Sequence, residues 1–234
     1  MSAIPDVIDT FRQCLTASDR HAEPYRHWLL KDVLPVETAR AVRGLPFEPA
    51  EIEETNGRRE TNNQSRIFFS EEKRSRFAVC DALATALQDR RATGAIEETC
   101  GITLEGTNLR IEYCQDTAGF WLEPHTDIAE KAYTMLIYLS DEPGSEAWGT
   151  DIYDSDLKYV GSAPYAFNRG LIFIPGRDTW HGFRRRPING VRRSLIVNYV
   201  KSSWRARQEL AFPNNPIGQG RHVSHTRRQE KARS

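Results

Sequence analysis

Three residues in this chain have the types and spacing to hold a metal ion. His125 and Asp127 stand two apart in the stretch Gly119-Phe120-Trp121-Leu122-Glu123-Pro124-His125-Thr126-Asp127. On a β-strand, residues two apart leave from the same face, so an imidazole nitrogen and a carboxylate oxygen are aimed at one point. A third ligand is offered by His181, in Trp180-His181-Gly182-Phe183. Two histidines and one carboxylate, with coordination positions left open, form the ligand set suited to non-heme Fe(II) oxygen chemistry. Shortly beyond His181 comes an arginine on a strong strand pattern, Arg192-Arg193-Ser194-Leu195-Ile196-Val197-Asn198-Tyr199-Val200.

Such ligands need a strand-built frame, and the second half of the chain supplies one. From Cys100 to Val200 the apolar periodicity is strand-like. Strands are expected over 109–114, 120–126, 133–139, 150–153, 157–160, 165–167, 171–174, 182–185 and 192–200. Gly119, Pro143-Gly144, Gly161, Asn168-Arg169-Gly170, Pro175-Gly176 and Asn189-Gly190 punctuate them. Short strands at this close spacing indicate an all-β barrel or sandwich rather than βαβ units.

The first half reads differently. Helices are expected over 7–15, 36–45 and 77–87, the last with Phe77, Cys80, Leu83, Ala84 and Leu87 on one face. Residues 25–35 form a strand or extended entry stopped by Pro35. The charged stretch 47–64, with Asn56-Gly57 and Asn62-Asn63, is a loop, and 66–69 a short strand. After Glu209 the pattern fades, and residues 213–234, rich in Pro, Asn, Gly, His and Arg, read as a mobile tail.

Composition narrows the class without naming a partner. Hydrophobic residues make up 39% and charged residues 27%, as in a globular protein, and 32 basic residues balance 32 acidic ones. The charges are segregated: 179–208 contains Arg and Lys but no acid, whereas 123–156 is rich in Asp and Glu. Two such poles can attract each other across a fold, which weakens the case for nucleic-acid binding. Cys14, Cys80, Cys100 and Cys114 lack C-x-x-C spacing and are expected to be buried free thiols in a reducing compartment. With no signal-peptide pattern and no membrane-length apolar run, the expected location is cytoplasmic.

The set Tyr113, Gly119-Phe120, His125-Thr126-Asp127, Tyr133-Thr134-Met135-Leu136-Ile137-Tyr138-Leu139-Ser140, Gly149-Thr150-Asp151-Ile152-Tyr153, Pro175-Gly176, His181 and Arg192-Arg193-Ser194-Leu195-Ile196-Val197 resembles the prolyl-4-hydroxylase-like branch of the Fe(II)/2-oxoglutarate-dependent dioxygenases. The resemblance spans 25–205 and is densest over 109–200. It implies a mainly β protein with N-terminal helices (α+β) around a double-stranded β-helix, a jelly-roll or cupin-like core. The expected layout is an N-terminal strand and helical layer (1–100), a catalytic core (101–210) and a basic flexible tail (211–234).

By the same resemblance, His125, Asp127 and His181 bind Fe(II) and form the catalytic centre. Arg192 pairs with the distal carboxylate of 2-oxoglutarate, a role that suits its planar, permanently charged fork. Arg193, its neighbour on a strand, faces the other way. Tyr113 and Tyr138 hydrogen-bond the co-substrate, with Thr134 nearby. The implied reaction consumes O2 and 2-oxoglutarate, hydroxylates a C–H bond and releases succinate and CO2, with ascorbate as an optional reductant. Asp127 occupies the place that related halogenases give to a small residue, which disfavours halogenation.

A small-molecule or amino-acid-like substrate is the leading expectation. The position of Asn198 is often aromatic in the family, which speaks against carrying over its peptide specificity. A prolyl or ribosomal protein substrate is the alternative, and a non-catalytic metal-binding jelly-roll module is the reading from a different class. Nucleic acid is disfavoured because no aromatic stacking platform accompanies the basic residues. Oligomeric state is left open. Arg110, alternating with Tyr113, is expected to point away from it and hence away from the site.

Overall fold

Apolar residues at i, i+1, i+4, i+7 and i+8 give the first segment one apolar face. It folds as helix α1 (Ile4–Thr16), burying Val7, Ile8, Phe11, Cys14 and Leu15. The computed structural model describes residues 2–49, 56–58 and 66–218. Within them α1 is followed by β1 (Asp19–His21), β2 (His27–Leu30), α2 (Val36–Arg43), β3 (Ile67–Phe68), α3 (Glu71–Arg76), α4 (Ala78–Gln88) and α5 (Arg90–Cys100). Then come β4 (Asn108–Asp116), β5 (Leu122–His125), β6 (Lys131–Tyr138), β7 (Asp151–Tyr153), β8 (Tyr159–Ser162), β9 (Gly170–Phe173), β10 (His181–Phe183) and β11 (Arg192–Val200).

The strands make two antiparallel sheets, a large one in the order β1-β2-β9-β6-β11-β4-β3 and a small one in the order β5-β10-β7-β8. Strand alternation decides which layer each side chain joins. Leu195, Val197 and Tyr199 of β11 join Ile111 and Tyr113 of β4 and Met135 and Ile137 of β6 in a core shared with α1, α4 and α5. The other face of the large sheet, with Leu136, Tyr138, Leu171 and Phe173, meets Ile152 and Phe183 of the small sheet in a second core. Each Leu or Phe fully buried in these layers contributes about 2 kcal/mol. Helices thus cover the outer face of a two-sheet sandwich, and the inner face is left for the site. This is the expected helix-backed jelly roll.

Several local differences have physical causes. Helix α5 lies where no element was expected: the Asp89 side chain caps it by accepting from the Arg91 N–H at 2.8 Å, and Gly101 ends it at φ 65°. The strand expected at 157–160 begins instead at Tyr159, because Leu157 takes a left-handed turn conformation, φ 61°. No strand forms at 165–167; Tyr165 is buried and donates its hydroxyl to the Arg193 carbonyl at 3.0 Å. The loop expected at 47–64 falls largely outside the described residues, but Gly57 accepts from the Glu123 N–H of β5 at 3.0 Å.

The chain stays on the core beyond position 211: Ile217 is buried and its N–H donates to the Thr107 carbonyl at 2.8 Å. Residues 219–234 of the expected tail lie outside the described residues. The oppositely charged stretches do meet, Asp151 with Arg184 and Arg186, and Glu142 with Arg193. All four cysteines are buried, and none is in a disulfide among the described residues. Among the described residues no helix is long and apolar enough to cross a membrane.

Candidate functional site

His125 ends β5 and His181 opens β10, and the two strands pair with these histidines directly opposite each other. Their ring centroids are 4.4 Å apart. Each ring is oriented by the same local device. Nδ1 of His125 lies 2.9 Å from the Glu123 carbonyl oxygen, and Nδ1 of His181 lies 3.0 Å from that of Thr179. A carbonyl only accepts, so the hydrogen bonds assign a proton to Nδ1 in both rings, and in the neutral ring the lone pair is then on Nε2. That is the tautomer of a histidine ready to bind a metal through Nε2. Burial above all, with His125 alongside, pushes His181 down to about 4, so its ring is neutral at neutral pH.

Asp127 lies just past β5. Its Oδ1 accepts from Lys131 Nζ at 2.5 Å and its Oδ2 from the Thr134 hydroxyl at 2.6 Å. Burial alone would raise this carboxyl, but Lys131, His181 and Thr134 outweigh it and hold it at about 2. The three residues line one cavity of about 270 Å3, together with Lys131, Thr134 and Arg192.

Among the described residues no three His, Cys, Asp or Glu side chains form a ready-made metal cluster. The Asp127 carboxylate is instead turned to Lys131 and Thr134. In type and protonation the donors nonetheless fit a divalent cation: two Nε2 lone pairs and one ionised carboxylate face a common cavity.

Arg192 is buried on the inner face of β11, as its strand parity requires, while Arg193 turns to Glu142. Arg192 donates Nη1 to Asp116 Oδ2 at 2.5 Å and Nε to the Trp148 carbonyl at 2.8 Å. Its guanidinium carbon lies 4.6 Å from the Phe183 ring centroid. Nη2 is the edge of the fork not engaged by the described residues. Tyr138 is fully buried and donates its hydroxyl to Thr150 Oγ1 at 2.9 Å, and Thr150 in turn lines the cavity.

Three expectations need correction. Tyr113 is not brought to the site. It faces the helices, touches Phe47 and donates its hydroxyl to the Arg43 carbonyl at 3.1 Å. The alternation between Arg110 and Tyr113 holds, but it is Arg110 that faces inward. Thr134 does reach the cavity, yet its hydroxyl is spent on Asp127, so it serves the carboxylate rather than a co-substrate. Lys131 and Asp116 were missed. The signal for Asp116 lay in the alternation along β4, where Arg110, Glu112 and Asp116 oppose Leu109, Ile111 and Tyr113.

No family model and no curated protein matches this chain. Solved structures do. A prolyl-4-hydroxylase from Pseudomonas putida aligns at a TM-score of 0.52 and 15% identity, over 83% of this chain and 94% of that one. Prolyl 4-hydroxylases from Phytophthora capsici align at a TM-score of 0.58 and 11% identity, over 86% of this chain and 66% of that one. The fold is that of the prolyl 4-hydroxylases. In this prolyl 4-hydroxylase fold the small sheet carries both histidines and the large sheet carries Thr134 and Arg192.

Proposed function

We propose that the chain is an Fe(II)- and 2-oxoglutarate-dependent dioxygenase that hydroxylates a C–H bond of a small-molecule or amino-acid-like substrate in the cytoplasm. The observation that carries this reading is the facing pair His125 and His181, each with Nδ1 tied to a backbone carbonyl, beside the ionised Asp127. His125, His181 and Asp127 would hold Fe(II), and Arg192 would offer Nη2 to the far carboxylate of 2-oxoglutarate, with Tyr138 and Thr150 bracing that end. When bound, iron and 2-oxoglutarate supply the oxidising equivalents for hydroxylation by O2, with succinate and CO2 as co-products. The chain's own part is to orient donors and exclude water, the latter through Leu122, Leu136, Phe183 and Ile196 in the cavity wall.

The small cavity, about 270 Å3, supports a compact substrate. A prolyl residue within a peptide is the second reading, motivated by the fold shared with proteins named prolyl-4-hydroxylases. The test is anaerobic addition of Fe(II) and 2-oxoglutarate, watching for the weak visible band of the chelate, followed by succinate release in air. A protein that forms no such band and releases no succinate would refute the assignment. Screening amino acids, other metabolites and proline-containing peptides for stimulated succinate release separates the two substrate readings.

A further inference from the structure

A row of buried polar side chains crosses the inner face of the large sheet and ends on Asp127. At its far end the Arg66 guanidinium pairs with Glu112 through two hydrogen bonds of 2.8 and 3.0 Å. Arg110, 0% exposed, donates Nη2 to Glu112 at 2.9 Å, Nε to Glu209 at 2.7 Å and Nη1 to Asn198 Oδ1 at 3.0 Å. Asn198 Nδ2 then donates to Thr134 Oγ1 at 2.9 Å, and Thr134 donates to Asp127 Oδ2 at 2.6 Å. The row follows strand register, since Arg110 on β4, Asn198 on β11 and Thr134 on β6 are successive cross-strand partners.

The directions of these bonds are not free. An arginine has only donors, so it draws the oxygen of Asn198 toward itself and turns the NH2 group toward Thr134. The Thr134 oxygen then accepts, and its single proton is left for Asp127. The rings of Phe68 and Trp204, 4.6 and 5.1 Å from the Arg110 guanidinium carbon, flank the charge. Burying so many charges adds little net stability compared with apolar side chains of the same volume. What the row does supply is one fixed orientation.

We infer that Arg110 and Asn198 are positioning residues for the metal ligand Asp127, acting through Thr134, which holds Oδ2 and leaves Oδ1, the oxygen that Lys131 occupies without metal, as the one that turns to the ion. This rests on the metal-dependent reading above. Outer partners of metal ligands usually set affinity by tenfold to a hundredfold.

The test is Co(II) affinity of the full-length chain, measured by competition with a chromophoric chelator, with thermal unfolding of the chelator-treated protein as the folding control. Thr134→Val, which keeps shape and removes the hydroxyl, is expected to lose about tenfold to a hundredfold in affinity. Thr134→Ser is expected to stay within about threefold of the unaltered protein. Asn198→Asp replaces the donor facing Thr134 by an acceptor, divides the hydroxyl proton between two carboxylates, and is expected to lose about tenfold. Unchanged affinity in Asn198→Asp, or a loss in Thr134→Ser as large as in Thr134→Val, would overturn the inference. If Thr134→Val does not fold, the contrast between Thr134→Ser and Asn198→Asp decides. Failure of the unaltered protein to bind Co(II) would instead strike the metal reading itself and take this inference with it.

Discussion

Lys131 Nζ sits 2.5 Å from Asp127 Oδ1, four residues away, with both side chains largely buried. An ammonium and a divalent cation compete for the same carboxylate charge. Repulsion between charges a few Å apart exceeds about 1.4 kcal/mol even at an effective dielectric near 20. Lys131→Met is therefore expected to bind Mn(II) at least about tenfold tighter. It should also lower stability without metal by about 3 kcal/mol, because it strands a buried carboxylate. Calorimetric titration and urea unfolding read the two effects; weaker Mn(II) binding in the variant would count against the competition.

Arg192 is already partnered, which separates its structural role from its proposed role in recognition. Removing it in Arg192→Ala takes a hydrogen-bonded cation away from the buried Asp116 carboxylate, at a cost of about 3 kcal/mol. Arg192→Lys keeps a charge near Asp116 but lacks the planar fork. It should fold and yet need about tenfold more 2-oxoglutarate for half-saturation, since one directed hydrogen bond is worth about 1.4 kcal/mol. Saturation equal to that of the unaltered protein would mean Nη2 is not the recognition edge.

Acid should weaken the fold in two steps. His181 is held down to about 4 in the folded protein, against an ordinary value of 6.5. Between these values the unfolded chain takes up the proton and the folded chain does not. Stability is thus fully present above about pH 6.5 and falls by about 3 kcal/mol as pH drops toward 4. Asp127, held at about 2 against an ordinary 3.8, contributes stability that is present above its ordinary value and lost as pH falls through the lower one. Urea unfolding of chelator-treated protein between about pH 7 and 4 should show the first slope, and His181→Gln should remove it. A slope unaltered in that variant would assign the acid sensitivity to other groups.

How much of this was legible in the residues alone depended on whether the information was local. The spacing of His125 and Asp127, the second histidine and the inward parity of Arg192 are short-range facts, and they led to one cavity. Tyr113 misled because strand parity tells which residues share a face, not which face is inside. That choice is made by the pairing of β4 with β11, where Asp116 meets Arg192 and Arg110 meets Asn198. The fully buried Arg110 has one carboxylate partner close by in Glu112, but its second, Glu209, comes from beyond the last strand. Helix α5 had readable signals in Asp89 and Gly101, but its exposed arginines and acids diluted the apolar period.

The proposed ligands are tied to both sheets. His125 and His181 belong to the small one, Thr134 anchors Asp127 to the large one, and Asp127 itself sits on the connection from β5 to β6. An ion gripped by all three would clasp the open rim of the sandwich. Iron supply would then govern how long the protein survives in a cell as well as how fast it turns over, because the unloaded chain would unfold more often and meet proteases in that state.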